Sequence, residues 1–212
     1  MPLPISLGLC CLNTELRAQK PSIFCSRTCT RKHFTLQLAK KRALSNVEDI
    51  SKMVRYNHEH NIKCFRLSSD MFPHFTDEAT ESYSIDFAIP ELKRAGDLSR
   101  SLEQRILMHP GQYNQVGAKD EAVFQRTVQD LSHHADILDA MGIGKGGVLI
   151  VHGGGVYGNK AETVIRWIDN FKRLPKKVQD RLVLENCERG YSISDVLLIS
   201  DLLKEEGFEL PV

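Results

Sequence analysis

Arg105-Ile106-Leu107-Met108-His109-Pro110-Gly111-Gln112-Tyr113 is the stretch from which the fold can be read. An apolar run ends in a histidine, and Pro110-Gly111 then obliges the backbone to turn. The run therefore reads as a buried strand whose last inward side chain is an imidazole. Gln112 and Tyr113 follow on the turn and are expected to be exposed. The same grammar returns at Val148-Leu149-Ile150-Val151-His152-Gly153-Gly154-Gly155 and at Arg181-Leu182-Val183-Leu184-Glu185-Asn186, each an apolar run that stops at a potential metal ligand. In a barrel of parallel strands the loops converge at one end and chemistry is done there, so three such endings weigh more than any one of them.

Outward from these runs, strand and helix alternate. Ile5 to Cys11 reads as the first strand, with Asn13 just past its end, either a turn former or a site residue. Ser45 with Glu48 has the form of a capping box, followed by Val47, Ile50 and Val54 at helical spacing, and His58 and His60 close that helix as surface residues. Lys63 to Leu67 is the second strand, and its loop carries two candidate ligands, His74 and Asp77. A helix over Asp86 to Ser99 leads into the strand that ends at His109. From Asp120 the stripe Phe124, Val128, Leu131, Ala135, Leu138 steps round another helix, which places His133 and His134 away from the stripe and in solvent.

After His152, Gly153-Gly154-Gly155 lacks the lysine and hydroxyl of a Walker loop and the spacing of a dinucleotide fingerprint, so close backbone approach beside a ligand is the better reading. Val164, Trp167, Ile168 and Phe171 build the next helix. Ser192 and Asp195 cap the last one, which runs to Glu206 and is stopped by Gly207. Leu210-Pro211-Val212 reads as the start of a sixth strand. The alternation predicts a parallel sheet with right-handed crossovers, and a doubly wound sheet and a barrel both fit. Polar residues at the strand ends favour an α/β fold of the TIM-type (β/α)8 barrel, over 1–212 as a single domain whose C-terminal units are missing.

Composition is that of an ordinary globular chain: 212 residues, 42% hydrophobic and 26% charged, with a net charge of +1. So small a net charge gives no global attraction to nucleic acid, and any such role must rest on a local patch. One exists: Arg17, Lys20, Arg27, Arg31, Lys32, Lys40, Lys41 and Arg42 fall almost without acids, among hydroxyls and rings, on what reads as the loop after the first strand. Such a run suits a phosphate backbone, the alternative being a solvated surface. The cysteines are scattered and read as reduced, intracellular thiols, with Cys25, Cys29 and His33 an ordinary loop rather than a zinc site. The apolar opening is too short to span a bilayer.

Two imidazoles and a carboxylate at one mouth suit zinc, manganese or iron, since thiolates are absent there and all-oxygen sites do not use histidine. Glu185 can bridge two ions, and a cluster that activates water beside a phosphate makes phosphodiester hydrolysis a natural use. The alternative is that His109 and His152 are hydrogen-bonded residues of the barrel interior.

Leu7-Gly8-Leu9-Cys10-Cys11-Leu12-Asn13, Phe65-Arg66-Leu67-Ser68-Ser69, Met108-His109-Pro110-Gly111-Gln112-Tyr113, Val151-His152-Gly153-Gly154 and Leu184-Glu185-Asn186-Cys187-Glu188 together resemble the UV damage endonucleases, barrel enzymes related to the endonuclease IV group. The resemblance implies a metal-dependent nick immediately 5′ of a UV photoproduct, a cyclobutane dimer or 6-4 product, in double-stranded DNA. It places His109, His152 and Glu185 in the metal-ligand and catalytic positions, with His74 or Asp77 as the ligand from the second loop. Gln112 and Tyr113 become the pair that probes the lesion, and Asn13, Arg27, Arg31 and Lys32 contact the DNA. It implies divalent ions, manganese foremost with zinc or another ion as alternatives, about two or three per complete site. It also implies an intracellular monomer without a membrane partner, in the cytoplasm or nucleoid, or in the nucleus or an organelle of a eukaryote. Leu9 stands where the family often has tyrosine. Two other readings are a truncated, non-catalytic DNA-binding remnant of the barrel and a sugar isomerase-like barrel enzyme; the basic loop and exposed Gln112-Tyr113 weigh against the second.

Overall fold

The structure, a computed structural model, describes residues 5–187 and 189–212. The chain divides into two compact units. The first takes the chain as far as Met108 together with Ile137–Gly147, and the second takes His109–Asp136 together with Val148–Val212.

In the first unit, β1 (Leu7–Cys10) is followed by α1 (Thr14–Ala18), α2 (Leu36–Glu59), β2 (Ile62–Leu67), α3 (Ile89–Ser101) and β3 (Arg105–Met108). β1 pairs with β2 and β2 with β3, both in parallel, with Leu9 opposite Phe65, Phe65 opposite Ile106 and Leu67 opposite Met108. Parallel neighbours need a crossover, and α2 and α3 supply it. Ala39, Ala43, Val47, Ile50 and Val54 form one helical stripe on α2, all fully buried, as are Phe65 and Met108 from the strands. α3 buries Leu92, Ala95, Gly96 and Ser99. A Cβ at Gly96 would collide with the backbone of Met141, so glycine permits that close approach.

The second helix begins well before Ser45. Thr35 caps it by accepting the Leu38 N–H at 3.2 Å. Ser45 and Glu48 lie inside it, because Ala39 and Ala43 extend the stripe by two more turns and propensity and packing agree there. The basic run therefore is not one loop. Arg17 sits on α1, Arg31 and Lys32 on a 3-10 turn over Arg31–His33, and Lys40, Lys41 and Arg42 on α2.

α4 (Glu121–Ala140) leads to β4 (Leu149–His152), α5 (Lys160–Arg173), α6 (Lys176–Gln179), β5 (Leu182–Glu185) and α7 (Ile193–Glu205). In the second unit β4 and β5 are parallel partners. Trp167 and Phe171 of α5 are fully buried and stacked, with ring centroids 5.8 Å apart. Ser192 and Asp195 form the capping box expected of α7, and Gly207 takes the left-handed conformation, φ 85°, that ends the helix. Past it, the Leu184 N–H donates to the Pro211 carbonyl at 3.0 Å, one sheet-like bond where a sixth strand was expected to start.

His133 and His134 are not solvated: they are 5% and 1% exposed. α4 also buries Thr127, Asp130 and Ile137, so its covered face is much wider than the apolar stripe that the sequence displays. The cysteines are free thiols, and Cys25 packs its Sγ 3.3 Å from the sulfur of Met53, as an ordinary buried residue does. Among the described residues no helix is long and apolar enough to cross a membrane.

Candidate metal centre and the turn after His109

Side chains alternate along a strand, so Leu149 and Val151 on β4, and Leu182 and Leu184 on β5, point into the core while His152 and Glu185 share the opposite face. The two are register partners at the strand ends. His109 follows β3 directly. Its Nε2 lies 2.9 Å from Glu185 Oε2, and His152 Nδ1 lies 3.4 Å from the same oxygen. The imidazole rings meet edge to face, with centroids 4.9 Å apart and planes at 64°. Exposure of the side chains rises from 16% at His109 through 33% at His152 to 42% at Glu185, so the carboxylate is the part of the cluster most open to solvent.

The donor set fits a divalent cation. One atom from each of the three residues lies within 4.8 Å of the others. Ligands about 2.0–2.2 Å from a tetrahedral ion are themselves roughly 3–4 Å apart, so small movements would complete the geometry. Two nitrogens and one oxygen leave coordination positions for water or substrate, as catalytic sites require and structural ones do not. No Cys, His, Asp or Glu beyond these three joins the group among the described residues.

The turn after His109 is built by its glycine. A Cβ at Gly111 would collide with the Tyr113 ring, which folds back over it, and the Asn114 N–H closes the turn on the Gly111 carbonyl at 3.0 Å. Gln112 is exposed and Tyr113 is 63% exposed, as expected. Gln115 then ties this turn to the loop after β4: its Oε1 accepts the Gly155 N–H at 2.7 Å while its Nε2 donates to the Gln112 carbonyl at 3.2 Å. Gly153 packs so closely on the buried Tyr191 ring that a Cβ there would collide with it. The close backbone approach expected beside His152 is thus made, to Tyr191. Burial is the main reason why the Tyr191 hydroxyl is pushed up to about 12.

The remaining expected site residues lie in the first unit, and most are engaged there. His74 has Nδ1 3.1 Å from Asp77 Oδ2 and Nε2 2.6 Å from the Cys29 carbonyl. Arg31 grips Asp77 with two bonds, of 2.7 and 3.0 Å, and this holds the Asp77 carboxyl below its usual range. Arg27 pairs with the buried Asp49 at 2.6 Å and stacks on Phe24. Asn13 caps α1 by accepting the Leu16 N–H at 2.9 Å. Lys32 is exposed.

Asp130, Asn114 and Gln115 were not singled out from the sequence. Asp130 could have been, since an acid four residues before His134 on a helix with so much buried surface needs partners of its own. Gln115 gives no local signal, because the Gly155 N–H that it binds is 40 positions away along the chain.

The chain is 40% identical to the UV-damage endonuclease of Schizosaccharomyces pombe over 198 residues, which cover 90% of this chain and 33% of that protein. It is 36% identical to a putative UV-damage endonuclease of Acanthamoeba polyphaga mimivirus, over 94% of this chain and 62% of the relative. The crystal structure of SacUVDE superposes with a TM-score of 0.87 at 30% identity, over 94% of this chain and 67% of that one. The chain thus spans between a third and two thirds of the length of these curated relatives. The α/β fold class of TIM-barrel type read from the sequence stands with this likeness. Residues 5–205 match the family profile described as UV-endonuclease UvdE, a range that takes in His109, the turn after it, His152 and Glu185, and the chain belongs to that family.

Proposed function

We propose that residues 1–212 belong to a single, incomplete barrel domain of a metal-dependent repair endonuclease, which nicks double-stranded DNA on the 5′ side of UV photoproducts. The observation that carries the reading is the convergence of His109, His152 and Glu185 within 4.8 Å, in a unit that also presents the exposed Gln112-Tyr113 turn. A divalent cation held by the three, manganese first, would polarise water and a phosphate oxygen and neutralise charge on the departing oxygen. Glu185, the most exposed of them, faces the side from which a phosphodiester comes.

Either His74 or Asp77 is proposed as a further ligand, on the family resemblance. Asn13, Arg27, Arg31 and Lys32 are proposed as the DNA contacts, with the exposed Lys32 meeting a phosphate. Gln112 and Tyr113 test the duplex: a damaged step unstacks at less cost than an intact one, and an amide and a ring can then occupy the space. In this reading the protein works inside the cell, as a monomer on damaged duplex.

The test is an end-labelled duplex carrying one cyclobutane dimer, incubated with the chain and manganese. One nick 5′ of the dimer, lost with chelator and absent from intact duplex, is the expected result. No cleavage, or equal cleavage of both duplexes, would overturn the reading.

A further inference from the structure

We propose that Asp130 is a positioning residue that presets the Tyr113 ring for contact with the lesion, an inference that rests on the reading of Tyr113 as a lesion probe. Asp130 is a carboxylate 3% exposed on α4, and a buried charge of that kind needs hydrogen-bond donors. Donors come from successive residues of the turn. Asn114 Nδ2 donates to Oδ2 at 2.8 Å, and the Tyr113 hydroxyl donates to Oδ1 at 3.2 Å. Asn114 also clamps the turn itself, with its backbone N–H and its Nδ2 each 3.0 Å from the Gly111 carbonyl.

Tyr113 is therefore held at both ends. The backbone is closed beneath it and the hydroxyl is tied to α4, while 63% of the residue stays exposed. Gly111 gives a separate sign of the same posture, since any side chain there would strike the ring where it now lies. An exposed tyrosine without these ties would sample several rotamers and lose that freedom on binding DNA, whereas a ring already fixed has little left to lose. Asp130 itself touches neither ion nor DNA in this scheme and acts through Tyr113 and Asn114.

Two variants test it. Asp130→Asn replaces an acceptor of Asn114 with a donor at nearly constant volume. Tyr113→Phe removes only the hydroxyl, leaving the ring and the Asn114 bond to Asp130, so a purely structural role of Asp130 would not respond. The first readout needs no DNA: nuclear spin relaxation of the labelled ring at position 113 should show a less ordered ring in both variants. The second is steady-state nicking of irradiated duplex, where KM should rise roughly three- to tenfold, the effect falling on KM rather than kcat. The double variant should add nothing to the worse single one.

Unchanged ring order in Tyr113→Phe overturns the proposal, and so does a loosened ring with the parent's KM. If the unaltered chain neither binds nor nicks irradiated duplex, the endonuclease reading fails, and the tie to Asp130 is then decided by ring order alone.

Discussion

His152 and Glu185 are register partners at the ends of neighbouring parallel strands, and the pairing leaves Nδ1 of one 3.4 Å from Oε2 of the other. His109 approaches the same oxygen at 2.9 Å, so Glu185 is the common member of both contacts. Glu185→Gln keeps the shape and one acceptor oxygen but removes the charge that a cation would meet. Manganese affinity, read by calorimetric titration, is expected to fall about 100-fold or more, since even partners one shell further out change affinity ten- to 100-fold. Nicking of irradiated duplex should be abolished. Unchanged affinity would show that the cluster is not the metal centre.

Tyr113 is presented to solvent while the base of its turn is fixed. Tyr113→Ala removes the stacking surface, and stacking of a base on an aromatic ring is worth about 1–3 kcal/mol, or roughly five- to 150-fold. The ratio of nicking rates on irradiated and intact duplex should fall by a factor in that range. A ratio equal to the parent's would move damage recognition elsewhere.

The strand ends were legible because the pattern is local: an apolar run, a ligand, then a glycine or proline. His109 and His152 carry that signature in full, Glu185 carries the apolar run and the ligand but is followed by Asn186, and parallel pairing sets His152 opposite Glu185. Three other features were not legible, for different reasons. Ser45 and Glu48 mimic a helix start because they have the hydroxyl-to-acid spacing, whereas Thr35, which caps the helix, is followed three residues on by Leu38 and carries no such signal. His133 and His134 look solvated on a helical wheel because the wheel shows one apolar stripe, whereas the fold covers α4 over a broader face. The partners of Tyr113 and Gly155 lie 17 and 40 positions away, separations at which no sequence pattern speaks.

Gly153 follows His152 directly, and its backbone lies against the buried Tyr191 ring. Its φ is not in the left-handed region, so Gly153→Ala tests space alone. Tyr191 is fully buried, so the ring has no open side to move into and the loop must shift instead. Overpacking of this kind costs about 1–3 kcal/mol, which for a chain of this size lowers Tm by roughly 2–12 °C. Manganese affinity should fall with it, because the displaced residue adjoins a ligand. A Tm within a degree of the parent's would mean that Tyr191 yields easily.

His133 is a buried imidazole kept neutral. Burial pushes its pKa well below the usual 6.5, and His134 and Lys177 add to the effect in the same direction. The unfolded chain takes up a proton there near pH 6.5, while the folded chain refuses it until a lower pH. Below that value the unfolded state binds more protons, so this contribution to stability is whole above pH 6.5 and is lost as pH falls beneath it. The slope can reach about 1.4 kcal/mol per pH unit. Urea unfolding of the parent and of His133→Leu, compared between about pH 7.5 and about pH 5.5, isolates the term, because the carboxylates titrate alike in both. The parent should lose stability more steeply on acidification than the variant; parallel curves would mean that His133 accepts its proton in the folded state.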